Sequence, residues 1–166
     1  MASASSIASS KRRWSNADTW MQVDFYQLGR TPLEQVVASI TQRLLADGKR
    51  LLIVAEDEGL RGRLDRMLWD QGPTSFLPHA PAGGSEDARQ PVLIASQTDA
   101  PNLARNVLIA DGEWREAALN CDRAFYLFDA ATLEGARLAW KLLSGREGVE
   151  RRYWAQDDNG KWVEKG

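Results

Sequence analysis

Cysteine and histidine are nearly missing from this chain, which has one of each, Cys121 and His79, among 166 residues. A lone thiol excludes an internal disulfide and a cysteine-rich zinc site, and it suits a reducing compartment. A lone histidine leaves a hydrolytic triad one candidate base. His79 lies between Pro78 and Ala80, with no G-x-S-x-G or reactive-cysteine context around it. Asp122 beside Cys121 raises a thiol pKa rather than lowering it. Phosphate-cradling glycine patterns are absent too. The turn "LGRTPLEQ" has only Gly29 where a dinucleotide fold needs G-x-G-x-x-G, and no G-x-x-x-x-G-K-[ST] occurs. "ADGKRLL" closes a helix, the wrong end for phosphate, and "AGG" at 82–84 is followed by the acids Glu86 and Asp87. The run Glu56-Asp57-Glu58 reads as acids at a helix start rather than a metal or ribose site. No catalytic residue, cofactor or metal is therefore expected.

Two further absences narrow the class. No apolar run approaches the roughly 18 residues needed to cross a bilayer. The formal charge is only −2, so no global positive field draws the chain to nucleic acid or an anionic membrane. A cytoplasmic protein is expected.

What is present fits an ordinary globular chain, with 43% hydrophobic and 27% charged residues. Its length suits one domain that buries about two thirds of its unfolded surface. Residues 1–20, "MASASSIASSKRRWSNADTW", stand apart: they are rich in Ser and Ala, without an acid before Asp18 and without a secretory h-region. They read as a disordered extension, or as a start placed ahead of Met21, with a transit-like peptide as the alternative. Residues 21–166 are expected to form the domain.

From Met21 the pattern is regular and free of internal repeats. "QVDFYQL" (22–28) reads as a strand buried on both faces. "TPLEQVVASITQRLLADG" follows, with Thr31 as N-cap, Pro32 at the first helical position and Glu34 closing a capping box. Leu33, Val36, Val37, Ile40 and Leu44 make one apolar stripe, and Gly48 ends the helix in a left-handed cap. "RLLIVA" (50–55), "PVLIAS" (91–96), "NVLIA" (106–110) and "RAFYLF" (123–128) are apolar strands of the parallel-sheet kind. Helices are expected at about 57–70 and 130–144. Asn159-Gly160, between aromatic runs, signals a terminal hairpin. This alternation predicts an α/β fold: a Rossmann-like, mostly parallel sheet with helices on both faces, a C-terminal β-hairpin and no nucleotide site.

Two constellations remain as candidate sites. In "LWDQGPTSFLPHAPAGG" (68–84), Trp69 ends a helix, Pro73 breaks it, and Phe76 follows before Pro78. A segment already stiffened by proline loses little entropy on docking, so exposed aromatics there suit an interaction anchor, with His79 and Pro78 supporting the loop. In "GARLAWKLL", Arg137, Trp140 and Lys141 stand at i, i+3 and i+4 and share a helix face. Two cations beside an indole make a site for a carboxylate next to an apolar side chain. The blander alternatives are a core role for Trp69, and a solvated basic stripe with Trp140 partly tucked into the core.

"VDFYQL", "GKRLLIVAEDE", "LDRMLW", "SFLPH", "QPVLIA", "NVLIADGEW", "ARLAWKLL" and "YWAQDDNGKW", in this order, resemble the chi subunit of bacterial DNA polymerase III holoenzyme. The resemblance runs from about Met21 to Trp162. It implies a non-catalytic adaptor on a Rossmann-like sheet without a nucleotide. One surface, falling on Trp69 and Phe76, would dock the psi subunit and so the clamp loader. Another, falling on Arg137, Trp140 and Lys141, would hold the acidic C-terminal tail of single-stranded-DNA-binding protein. Two departures stand out: Leu133 occupies a position that is often basic in the family, and the terminal hairpin looks like a variant branch. Where psi is absent, the partner at Trp69 and Phe76 becomes another clamp-loader component or a repair helicase. The competing classes are a small nucleotide-binding enzyme and a direct single-stranded-DNA binder that uses the seven tryptophans.

Overall fold

A computed structural model describes residues 21–70 and 77–166. The expectations for residues 1–20 and for Phe76 lie outside the described residues. The elements in chain order are β1 (Met21–Gln27), α1 (Leu33–Ala46), β2 (Leu51–Val54), α2 (Glu58–Trp69), the short β3 (Ala80–Pro81), β4 (Val92–Ala95), β5 (Asn106–Ile109), β6 (Arg123–Phe128), α3 (Leu133–Leu143), β7 (Val149–Gln156) and β8 (Trp162–Glu164).

The strands form one sheet in the order β3-β4-β2-β5-β6-β1-β7-β8. Each neighbouring pair is parallel except the terminal β7–β8 hairpin. The continuous apolar runs bury both faces: the residues of β2, β4 and β5 are all buried. Alternation divides them between two cores. Val23, Phe25, Leu52 and Tyr126 pack with Ala136, Ala139 and Leu143 of α3 on one face. Leu51, Ile53, Phe125 and Leu127 pack with Val37, Ile40 and Leu64 of α1 and α2 on the other. Helices thus cover both faces, as the strand–helix alternation predicts.

The first helix starts differently from expectation. Pro32, not Thr31, is its N-cap, and no side-chain cap bond forms. Thr31 is taken instead by Gln156, whose Oε1 accepts the Thr31 backbone N–H at 3.1 Å and whose Nε2 donates to the Thr31 hydroxyl at 2.7 Å. A tertiary partner has outcompeted the local capping box. At the other end Gly48 has φ 71°, and Lys49 and Gly48 donate to Leu44 O and Leu45 O at 2.9 and 3.0 Å, the double bond of a Schellman cap. The last helix is shorter than 130–144. A 3-10 turn over Ala130–Thr132 comes first, with Asp129 and Thr132 exchanging cap bonds.

The terminal hairpin closes through Asp157. Its N–H donates to Lys161 O, Gly160 N–H donates to Asp157 O, and only Gly160 of the Asn159-Gly160 pair has positive φ (83°). This is a type I turn followed by a glycine bulge.

A charge lies inside the sheet. Asp24 of β1 is fully buried, and Arg123 of β6 pairs with it at 2.7 Å. The Gln22 amide at 3.0 Å and the Trp154 indole N–H at 3.3 Å also donate to it. One carboxylate thereby joins three adjacent strands.

Candidate functional site

The amphipathic α3 buries Ala136, Ala139 and Leu143, and the two small alanines let the helix lie close on the sheet. The opposite arc leaves Arg137 and Lys141 exposed, with Trp140 half-buried between core and solvent. Phe25 meets the indole edge-to-face at 5.1 Å, and Tyr153 does so at 5.8 Å. From β7, the Arg151 guanidinium lies 4.0 Å above the indole ring, and its Nη1 donates to Trp140 O at 2.7 Å. Lys165 N–H donates to Tyr153 O at 2.6 Å, and the chain then runs past the indole: a Cβ built on Gly166 would sit 3.4 Å from Trp140 Cζ2.

Beside this indole is a cavity of about 590 Å³, lined by Arg137, Trp140 and Lys141 together with Phe128, Arg151 and Tyr153. Among the described residues no acid lines it, and neither Arg137 nor Lys141 has an ion-pair partner. Burial pushes the Tyr153 hydroxyl above its ordinary pKa, and nearby Arg137 opposes that shift. The three residues singled out by helical spacing therefore share a cavity. Arg151 and Tyr153 escaped that reasoning because they come from a strand almost adjacent in space but distant along the helix periodicity.

The place where a doubly wound sheet holds a nucleotide has a different character. The chain leaves β2 toward β3 and β4 and leaves β5 toward β6, so the crevice lies above the ends of β2 and β5. There Asp111 Oδ2 accepts the Glu56 N–H at 2.9 Å, Oδ1 accepts the Glu113 N–H at 3.2 Å, and Arg115 grips both oxygens at 2.9 Å. Arg61 donates to Ala55 O and Glu56 O at 2.8 and 2.6 Å. A protein carboxylate occupies the donors a phosphate would need. Burial alone would raise the Asp111 carboxyl, but the bonds from Arg115 and the two backbone N–H groups outweigh it and hold the pKa below 3.8. The neighbouring glycines are likewise engaged: Gly83 and Gly84 N–H donate to the Asp87 carboxylate at 2.9 and 3.0 Å. Asp57 caps α2 by accepting the Leu60 N–H at 2.8 Å.

At the edge beyond α2, Trp69 is 53% exposed, and its ring lies 4.8 Å from that of His79. The His79 ring is buried. Its Nδ1 lies 2.6 Å from Leu77 O, and its Nε2 lies 3.1 Å from Asp65 O and 3.0 Å from Asp65 Oδ1. The imidazole thus ties the backbone at Leu77 to the middle of α2, with Pro78 exposed alongside. Cys121 is buried, and burial chiefly raises its pKa, with Asp122 adding to the rise and Arg105 opposing it.

Residues 21–150 match the sequence profile of the family described as DNA polymerase III chi subunit, HolC. The chain belongs to that family. It is 38% identical over 82 residues to the DNA polymerase III subunit chi of Escherichia coli K12, covering 49% of this chain and 56% of that protein. It is 29% identical over 77 residues to the subunit chi of Haemophilus influenzae, covering 46% and 53% respectively. The chain therefore spans about half the length of the curated relatives it matches. α3 and its cations lie inside the matched segment, whereas Arg151, Tyr153 and β8 lie beyond it. Among the described residues no helix is long and apolar enough to cross a membrane, and no cluster of three metal-ligating side chains occurs.

Proposed function

We propose that this chain is a non-catalytic adaptor of a DNA polymerase III assembly in the cytoplasm. Its α3 cavity binds the acidic C-terminal tail of single-stranded-DNA-binding protein, and its edge at Trp69 docks the clamp loader through psi or an equivalent component. The observation that carries the first half is a cavity that no acid lines among the described residues. In a protein of net charge −2, Arg137 and Lys141 converge there beside an indole, and neither has an ion-pair partner among the described residues. An unpaired cation next to a half-buried ring is matched by a peptide end that offers a carboxylate and an apolar side chain together.

In this reading the terminal carboxylate of the tail pairs with Arg137, its last aromatic residue lies against Trp140, and upstream acids sit near Lys141. One charge-assisted hydrogen bond contributes about 1.5–3 kcal/mol and one buried aromatic about 1.5–3 kcal/mol. After ordering costs this corresponds to a Kd on the order of micromolar to tens of micromolar. Weak single contacts suit a coat that presents many tails at once. The second half rests on Trp69, held over the His79 ring at the protein surface.

Calorimetry with an acidic peptide ending in phenylalanine tests the tail site. The free-acid peptide binds the wild type in the micromolar range, while a C-terminally amidated peptide and the Arg137→Ala protein each lose about tenfold or more. Equal affinity of Arg137→Ala and wild type for the free-acid peptide refutes the assignment. For the other edge, Trp69→Ala loses co-purification with clamp-loader subunits and keeps peptide binding; loss of both together points to a core role for that ring.

A further inference from the structure

We infer that Arg151 is a third cation of the α3 cavity and contacts the acidic ligand directly; this rests on the tail-binding reading above. The inference begins with strand register. β7 pairs with β1 so that Arg151 faces Val23 and Tyr153 faces Phe25. Side chains alternate along a strand, so the pleat that turns Val23 and Phe25 into the core beneath α3 turns Arg151 and Tyr153 to that same side. Arg152 goes the other way, and Glu150 pairs with it at 3.1 Å rather than with Arg151.

Arg151 is held as a receptor group is held. Its guanidinium carbon lies 4.0 Å from the centre of the indole ring, and one nitrogen donates to the carbonyl of Trp140 at 2.7 Å. The ring contact and one hydrogen bond hold the fork in place, and no carboxylate among the described residues pairs with it. A planar guanidinium with donors to spare, lining a cavity with two other cations and, among the described residues, no acid, suits bidentate capture of a carboxylate. Leu133 gives the same cavity apolar wall and no charge, so the strand rather than the first turn of α3 supplies the third positive group. Arg151 lies one residue past the segment matched by the chi-subunit profile, so this part of the receptor belongs to the terminal hairpin.

The test uses the full chain and an aspartate-rich peptide ending in phenylalanine with a free carboxylate, titrated by calorimetry at several salt concentrations. Arg151→Gln keeps a donor for the Trp140 carbonyl but removes the charge. It is expected to bind about tenfold more weakly, with a shallower dependence on salt, because one ion pair is gone. Arg151→Lys keeps the charge without the planar fork; its salt dependence stays as in the wild type, and affinity falls by about threefold. Weaker binding by Arg151→Gln with an unchanged salt dependence overturns the direct contact and leaves Arg151 as a support for Trp140. Equal affinity and equal salt dependence of all three proteins also overturns the inference while leaving the tail site standing. Failure of the wild type to bind overturns the tail site itself.

Discussion

The crevice above β2 and β5 and the cavity beside α3 are both built with arginine, and they use it in opposite ways. In the crevice, Arg115 grips both oxygens of Asp111, which also takes two backbone N–H groups, and Arg61 is spent on two carbonyls. Both arginines there are answered from within the chain, Arg115 by a counter-charge and Arg61 by two carbonyls. Beside α3, three cations line a cavity that no acid lines among the described residues, and there the only polar side-chain bond among the three goes from Arg151 to a carbonyl. Charge alone does not separate scaffold from receptor in this protein. Whether the chain has already supplied the counter-charge does.

That contrast can be broken by substitution, and the largest effects should fall where charge is internally satisfied. Asp24→Ala leaves Arg123 and the Trp154 indole without their acceptor in the sheet and should cost about 3 kcal/mol in urea unfolding. A loss below about 1 kcal/mol would mean that the buried carboxylate is dispensable. Gly112→Ala comes next. This glycine has φ 73°, and a Cβ there would sit 2.5 Å from the Thr132 hydroxyl, so unfavourable backbone and contact together should cost about 2 kcal/mol. An unchanged midpoint would show that the 129–132 turn shifts freely.

A smaller effect should appear in acid. The Asp111 carboxyl is held below its ordinary value of 3.8, so the folded chain takes up its proton less readily than the unfolded chain. The stability it contributes is complete above that value and is lost as pH falls through the lower folded one. Thermal midpoints of the wild type should therefore drop below about pH 4, and Asp111→Asn should flatten that part of the profile; parallel profiles contradict the assignment. The smallest effect is reserved for the receptor. Arg137 is exposed and without an ion-pair partner among the described residues, so Arg137→Ala should shift stability by less than about 0.5 kcal/mol even as peptide binding falls. A marked loss of stability would place Arg137 with the scaffold.

The same contrast explains what was legible in the sequence. Periodicities of 2 and 3.6 are local, so the strands other than the two-residue β3, three helices and the sheet class could be read from apolar spacing, and Arg137, Trp140 and Lys141 from one helix face. Features decided by distant partners could not. Thr31 has every local mark of a cap, yet Gln156, over a hundred residues later, claims it. Asp111 and Arg115 are i, i+4 in a loop rather than on a helix, and only the approach of Glu56 shows what they close. Arg151 sits in a run of charged residues, and nothing short of the β1–β7 register says which of them turns to α3. The resemblance runs on through that strand, but likeness to a family does not say which of its side chains turns to α3, and the matched profile itself ends at residue 150.

The place of β1 bears on how the chain is made. It leaves the ribosome before the other described strands, yet its neighbours on either side, Arg123–Phe128 and Val149–Gln156, are among the last. Throughout most of synthesis it has both edges bare and an aspartate without its arginine. A nascent chain held there offers an apolar ribbon to any passing strand, so a translational pause between β5 and β7 exposes this protein to aggregation.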